Sequence, residues 1–191
     1  MLAGDVRDHD APGRAVREAV DAFGGIDALI TAAGVWEPMP FLETTEESFD
    51  RQFDINVKAT FRFAQAAAPE LERRSGSVVL VSSVVARRVF LGSSAYAATK
   101  GAVSSLTSAL GAELGRLGVR VNAVAPGTVE TDMTRESLRD PGHRSGVVNA
   151  TPLGRLGEVD EIVAAIVFLA FGGATYVNGH VLTSDGGWSV G

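Results

Sequence analysis

The chain has 191 residues, of which 46% are hydrophobic and 21% are charged, a composition typical of a globular domain with a buried core. Its formal net charge is −6, and it contains no run of like charges that would form a surface for nucleic acid or for an anionic membrane. The chain has no cysteine, which excludes disulfides, thiolate metal sites and a cysteine nucleophile.

These exclusions leave a small molecule as the expected partner. The three histidines lie far apart without the spacing of a metal-binding motif, so no metal site is predicted. The N-terminus lacks the basic and apolar regions of a secretion signal, and the longest apolar stretch, around residues 162–171, is too short to span a bilayer. We therefore expect a soluble, cytoplasmic protein with no nucleic-acid or membrane partner.

Short valine-rich segments alternate with longer helical patterns along the chain, which is the order of βαβ units in a parallel sheet. The candidate strands are residues 28–31, 77–82, 119–125 and 181–184, with a possible short strand at 2–6. The candidate helices are residues 12–23, 45–73, 94–117 and 159–171. Their boundaries are marked by Pro12 in a first turn, by Thr44 with Glu47 as a capping box, and by Gly118 after the third helix. The pattern predicts a single α/β domain over residues 1–191.

The segment 130–152 differs from the rest because it is polar and is interrupted by Pro141, Gly142 and Gly146. Loops of that length within a compact domain are usually functional. We therefore predict that this segment is a loop that covers the substrate.

The strongest chemical signal is Tyr96-x-x-x-Lys100 near the start of the third predicted helix. A spacing of four residues puts both side chains on one face of a helix. A nearby ammonium favours the phenolate, so it lowers the pKa of a tyrosine from its ordinary value of about 10 towards neutrality. The alternative is a tyrosine packed by its ring, with a lysine whose ammonium reaches solvent.

Ser83 lies at the carboxyl end of the predicted strand 77–82, and this edge of a parallel sheet is where ligands bind. On its own Ser83 would be a turn or capping residue. The chain has only two lysines, so Lys100 at this distance from Tyr96 strengthens the catalytic interpretation of all three residues.

With these residues the sequence resembles the classical short-chain dehydrogenase/reductase family, within which it is most similar to 3-oxoacyl-carrier-protein reductases. The resemblance covers the chain from Gly4 to its C-terminus. The matching segments, in the family's order, are Asp5-Val6, Thr31-Ala32-Ala33-Gly34, Asn56, Ser83, Tyr96-x-x-x-Lys100, Pro126-Gly127 with Thr131, and Asp185-Gly186-Gly187. The resemblance implies a Rossmann-like doubly wound parallel sheet, NAD or NADP as cofactor, and a homo-oligomer, either a dimer or a tetramer.

The resemblance also implies a role for each catalytic position. Tyr96 would exchange a proton with the substrate oxygen, and Ser83 would donate a hydrogen bond to that oxygen. Lys100 would lower the tyrosine pKa and hold the nicotinamide ribose, while Asn56 would orient a water in a proton relay. Hydride transfer to a carbonyl creates alkoxide character, which needs fixed donors and a proton.

A second group of positions would bind the cofactor, together with Tyr96 and Lys100. Asp5 and Val6 resemble the pair that contacts the adenine ring. Thr31, Ala32, Ala33 and Gly34 stand where the family has Asn-Asn-Ala-Gly, so backbone contact with the ribose is retained more readily than side-chain bracing. Pro126, Gly127, Val129 and Thr131 resemble the loop that meets the nicotinamide carboxamide.

The family's opening glycine-rich turn has no counterpart in residues 1–191, where no two glycines are two positions apart. We therefore expect an N-terminally truncated fold that lacks the first two strands and helices. Either the chain is a fragment of a longer enzyme, or it is a short form with weakened cofactor binding. The choice between NAD and NADP and the identity of the substrate stay open.

We predict an NAD(P)-dependent oxidoreductase that transfers a hydride between the cofactor and an alcohol or ketone, with Tyr96 as the acid/base. The alternative is a non-catalytic scaffold or an inactive fragment, which the missing glycine loop favours and the intact catalytic residues oppose. A serine hydrolase is much less favoured, because 92–96 departs from Gly-x-Ser-x-Gly at its last position.

Overall fold

A computed structural model describes residues 3–191, in which four strands form one parallel sheet. The strands are β1 (Ala28–Thr31), β2 (Ser77–Val81), β3 (Arg120–Pro126) and β4 (Val181–Ser184). They are hydrogen-bonded in the order β1-β2-β3-β4. The α/β class and the four main strands predicted from the valine-rich segments are therefore confirmed.

Helices lie in all four predicted regions, and two further α-helices lie in the segment 130–152 that was expected to be a loop. The α-helices are α1 (Ala11–Phe23), α2 (Glu46–Phe53), α3 (Thr60–Arg74), α4 (Ser94–Leu114), α5 (Asp132–Arg135), α6 (Pro141–Ala150) and α7 (Val159–Ala170). Pro12 lies in the first turn of α1, as predicted. Gly118 ends the single turn that follows α4, with a φ of 78° that favours glycine.

Two hydrophobic cores lie on opposite faces of the sheet, because successive side chains of a strand point in opposite directions. Val78 and Leu80 of β2 pack in one core with Leu71 of α3. Between them, Val79 packs in the other core with Leu169 of α7. Helices cover both faces, which confirms the doubly wound arrangement and explains why the strands are apolar on both sides.

The predicted helix 45–73 contains an irregularity that sequence patterns did not indicate. A π-helical turn, Asp54–Ala59, lies between α2 and α3. Such turns are rare in proteins, and those that occur are often found at functional sites. Here it carries Asn56, whose side chain is almost fully buried.

Three predicted details are wrong. The segment 130–152 is largely helical, since Asp140 caps α6 and Pro141 occupies its first position, where a missing N–H costs nothing. The N-cap of α2 is Thr45, which accepts from the Ser48 N–H, and not Thr44. In the predicted strand 2–6, residue 2 lies outside the described residues and residues 3–6 form no strand.

The carboxyl ends of the parallel strands meet at one edge of the sheet, and the connections that follow β1, β2 and β3 begin there. Within residues 3–191, β1 is an edge strand of the sheet because it pairs only with β2. Its Ile30 side chain is accordingly 40% exposed. The fold thus brings the ends of β1, β2 and β3 together beside α4.

Replacing Leu71, which is fully buried, with alanine removes contacts between α3 and the sheet and leaves a cavity. We expect Leu71→Ala to lower the free energy of unfolding by about 2–5 kcal/mol. The matched control is Leu42→Ala, because Leu42 is 93% exposed and surface changes alter stability by only about 0.5 kcal/mol. Urea denaturation followed by circular dichroism measures the free energy of unfolding of both variants. An equal loss of stability in the two would contradict the placement of Leu71 in the core.

Candidate active site

Tyr96 and Lys100 lie in the first two turns of α4, which begins in the connection after β2. The Lys100 side chain is buried, and its Nζ donates a hydrogen bond of 2.8 Å to the carbonyl oxygen of Val81. The same Nζ lies 5.5 Å from the centroid of the Tyr96 ring. The predicted alignment of the two side chains on one helical face is therefore present.

Two serines at the end of β2 attach the strand to α4. The Ser82 hydroxyl donates to the carbonyl oxygen of Lys100 at 3.0 Å and lies 2.8 Å from the Ser104 hydroxyl. Ser83 follows in extended conformation and starts a short helical turn. The Ser83 side chain lies near the Tyr96 phenol and lowers its pKa. Ser82 thus fixes the distance between strand and helix, and Ser83 faces the phenol.

Burial controls the proton affinity of both central groups. It raises the pKa of Tyr96 to about 12, an effect that the Ser83 side chain partly offsets. Burial also lowers the pKa of Lys100 to about 8, because the ammonium loses hydration. Tyr96 is therefore protonated at neutral pH in this structure, and a lowering of its pKa by Lys100 stays a prediction for the site with cofactor bound.

Asn56 is a brace between the connection after β1 and α4. Its Oδ1 accepts from the Val35 N–H at 2.8 Å, and its Nδ2 donates to the Val35 carbonyl at 2.9 Å. The same Nδ2 donates to the Thr99 hydroxyl at 3.1 Å, and Thr99 in turn donates to the Tyr96 carbonyl at 2.7 Å. Both amide protons are therefore engaged within the protein.

The connection after β1 comes close to these groups at Gly34. A Cβ at Gly34 would lie 3.2 Å from Asn56 Oδ1 and 3.7 Å from Lys100 Nζ, so a side chain there would fill the space beside the ammonium. The Thr31 hydroxyl is buried and has no hydrogen-bond partner among residues 3–191. This agrees with the expected loss of side-chain bracing where threonine replaces the family's asparagine.

The connection after β3 forms the opposite wall. A Cβ at Gly127 would lie 2.8 Å from the Cα of Asp185, so only glycine allows this backbone to approach the connection after β4. Thr131 begins α5 as part of a capping box with Thr134. The backbone of this connection is thereby fixed next to the cleft.

A cleft of about 580 Å³ lies between these connections, at the carboxyl ends of the strands. Most of the predicted site residues line it. They are Ala32, Gly34, Ser83, Tyr96, Lys100, Pro126, Gly127, Val129 and Thr131. A cleft at this edge of a parallel sheet, walled by close-approach glycines and a buried ammonium, fits the nicotinamide and ribose end of a dinucleotide.

Other predicted positions lie away from the cleft. Asp5 is on the surface, where Arg7 donates to both of its carboxylate oxygens and, by hydrogen bonding, lowers the pKa of Asp5 to about 2. The lining of the cleft also lacks Val6, Thr31 and Ala33. Asn56 does not line the cleft either, but it hydrogen-bonds Val35, which lies between the lining residues Gly34 and Trp36.

Several residues of the site were missed by sequence reasoning. Ser82 and Thr99 hold the catalytic segment through hydroxyl groups, and each is adjacent to a predicted site residue, which is the only signal the sequence offers. His143 on α6 lines the cleft beside Phe90, with ring centroids 6.5 Å apart. Because α6 was expected to be loop, its face towards the cleft could not be predicted.

Among residues 3–191, no group of three His, Cys, Asp or Glu side chains is arranged to hold a metal ion. Within the same residues, no helix combines the length and the apolar character needed to cross a membrane.

Comparison with known proteins agrees with this geometry. The family model described as enoyl-(acyl carrier protein) reductase matches residues 1–189. The 1,2-dihydroxy-1,2-dihydronaphthalene dehydrogenase of Pseudomonas putida is 37% identical over 100% of this chain and 79% of its own length. This chain belongs to the short-chain dehydrogenase/reductase family. It is accordingly an oxidoreductase whose cofactor is NAD or NADP.

Other proteins similar to this short-chain dehydrogenase/reductase are named for different substrates. Human L-xylulose reductase is 38% identical and aligns with 91% of this chain and 72% of its own length. The structure of gluconate 5-dehydrogenase from Burkholderia cenocepacia J2315 in complex with NADP and tartrate superimposes with a TM-score of 0.94. It is 32% identical, and the superposition covers 98% of this chain and 74% of that one. The Rossmann-like fold predicted from sequence is therefore confirmed.

The buried ammonium has a consequence for stability. The pKa of Lys100 is about 8 in the folded chain and about 10.4 in an unfolded one, so between these values the unfolded state binds more protons. The free energy of unfolding contributed by Lys100 therefore rises with pH through this window, by about 2–3 kcal/mol.

Lys100→Met lacks this titration. We expect the stability difference, wild type minus variant, to increase from pH 7 to pH 10 when both are unfolded in urea. A difference that stays constant over this range would show that the Lys100 side chain is hydrated.

Proposed function

We propose that this chain transfers a hydride between NAD or NADP and the carbinol carbon of an alcohol or ketone, with Tyr96 as the acid/base. The observation that carries the proposal is the convergence of the Tyr96 phenol, the Ser83 hydroxyl and the buried Lys100 ammonium on one cleft. On this proposal, residues 1–191 act as one domain.

The residues that would hold the nicotinamide half of the cofactor come from three strand ends. Ala32 and Gly34 would approach the ribose with their backbone, and the Lys100 Nζ would donate to the ribose hydroxyls with the protons not used by Val81. Pro126 to Thr131 would contact the carboxamide by backbone and hydroxyl groups. When bound, the nicotinamide supplies or accepts the hydride.

In carbonyl reduction Tyr96 donates its proton to the oxygen that becomes the alcohol, and in oxidation it removes that proton. The phenol is protonated at neutral pH, as the reductive direction requires. Ser83 donates a second hydrogen bond to the same oxygen and stabilises its developing negative charge. The Lys100 ammonium favours the phenolate that remains after transfer.

Asn56 would act as a positioning residue in addition to its implied place in a proton relay. Its side chain holds both backbone groups of Val35, next to Gly34, and reaches the Tyr96 carbonyl through Thr99. A shift of Asn56 would therefore move the ribose-binding connection and the catalytic tyrosine together.

Assembly and location are further parts of the proposal. A partly exposed surface on α3, α4 and the turn before α3 is formed mainly by apolar side chains and supports a dimer or tetramer of this chain. It includes Val57, Phe61, Leu106 and Ala109, with Lys58 and Ser105. A cytoplasmic location agrees with the supply of NAD and NADP there. The likeness to 3-oxoacyl-carrier-protein reductases stays a prediction about subgroup.

Cofactor binding separates the enzyme from the scaffold alternative. Trp36 lines the cleft, so we expect saturable quenching of tryptophan fluorescence when the purified chain is titrated with NADH or NADPH, and the tighter of the two identifies the cofactor. A folded chain that binds neither would instead support the non-catalytic scaffold.

Tyr96→Phe removes the phenolic proton and keeps the ring. We expect turnover to fall by about 10²–10⁴-fold, while the dissociation constant for NADH or NADPH changes little. The chain's other tyrosine provides the matched control, since Tyr176 is fully exposed and Tyr176→Phe should keep wild-type turnover. Ketone reduction is followed by loss of reduced-cofactor absorbance, and full activity in Tyr96→Phe would refute its role as acid/base.

A further inference from the structure

The part of the cleft next to Tyr96 is lined almost entirely by apolar side chains. Aromatic and aliphatic groups from four segments of the chain form its walls. They are Trp36, Pro38, Val84, Val85, Phe90 and Met133. Phe90 is itself supported from behind, because its ring packs 4.8 Å from the Trp188 ring. This wall offers dispersion contacts to a flat or cyclic group.

Several of the hydroxyl groups in the lining already form hydrogen bonds within the protein. Thr134 donates to the Val129 carbonyl at 2.6 Å, and Ser137 donates to the Thr134 carbonyl at 2.9 Å. The Ser93 hydroxyl accepts from the Trp36 indole N–H at 3.3 Å, which also satisfies that group. The several hydroxyls of a sugar would therefore lose water and find few partners in this lining to replace it.

The nearby arginines do not provide a site for an anionic substrate. Arg88 turns towards the C-terminal segment, where its guanidinium lies 4.7 Å from the Trp188 ring centroid and donates to the Gly191 carbonyl at 2.7 Å. Arg87 is exposed and does not line the cleft. Lys100, the charged side chain in the lining, is buried against the Val81 carbonyl.

We infer that the substrate of this enzyme is an uncharged, largely apolar cyclic secondary alcohol or its ketone, and not a polyhydroxylated sugar or sugar acid. The inference rests on the proposed function and deepens it. The ring of the substrate contacts Phe90, Trp36 and Met133, and its oxygen meets Tyr96 and Ser83. His143, which lines the cleft beside Phe90, leaves one hydrogen-bonding side chain for a single further polar atom.

The first test compares two ketones of opposite character, 1-tetralone and 5-ketogluconate, with whichever reduced cofactor binds. We expect kcat/KM for 1-tetralone to be higher by about 100-fold or more, because unpaired polar groups oppose the sugar acid. Equal rates, or faster reduction of 5-ketogluconate, would overturn the inference and leave the proposed function intact.

Binding provides a readout that does not need turnover. Because Trp36 lines the cleft, 1-tetralone should quench tryptophan fluorescence saturably, whereas 5-ketogluconate should not. If neither ketone is reduced but this pattern holds, the proposed function fails and the inferred specificity stands. Tighter binding of 5-ketogluconate, or no binding of 1-tetralone, overturns the inference.

Variants locate the binding surface. We expect Phe90→Ala to raise the dissociation constant for 1-tetralone about tenfold, in the range of a lost apolar contact. Phe41→Ala is the matched control, since Phe41 is 75% exposed and outside the cleft. If Phe90→Ala does not fold, Met133→Gln replaces it, because Met133 is 41% exposed and can be changed with little effect on the core. An unchanged dissociation constant in the folded variant would contradict this placement of the ring.

Discussion

The site depends on one buried interaction, the hydrogen bond from the Lys100 ammonium to the Val81 carbonyl at the end of β2. An ammonium in this position loses most of its hydration, which is unfavourable unless fixed dipoles replace water. The Val81 carbonyl supplies one such dipole, and Ser82 holds the backbone of Lys100 from the same strand end. The charge is thereby kept beside Tyr96, where a proton has to move.

A second set of hydrogen bonds, centred on Asn56, joins α4 to the connection after β1. Asn56 holds Val35 through two hydrogen bonds and reaches α4 through Thr99. Its place in a π-helical turn explains how a side chain from the middle of a long helical region enters this narrow space. The connection after β1, Tyr96 and Lys100 are thus linked through hydrogen bonds and the backbone of α4. A displacement of one of them would change its distance to the other two.

Chemistry and specificity have different structural origins in this enzyme. The proposed reacting groups lie on α4 and just after β2, and the positions of these elements are set by the two cores on either side of the sheet. The substrate wall comes from the connections after β1, β2 and β3, and from α5 and α6. Such connections vary without disturbing the sheet, which is consistent with relatives named for a dihydrodiol, a pentulose and a sugar acid.

The sequence by itself determined the parallel α/β sheet and the family, because apolar periodicity and local spacing are encoded by residues close in the chain. It also predicted Ser83, Tyr96 and Lys100 as the catalytic residues. Only the tertiary structure decided the π-helical turn at Asn56, the helical form of 130–152 and the apolar wall. It also decided the direction of the pKa shift of Tyr96, which burial raises. These features arise from contacts between distant segments, whose packing and dehydration no local pattern records.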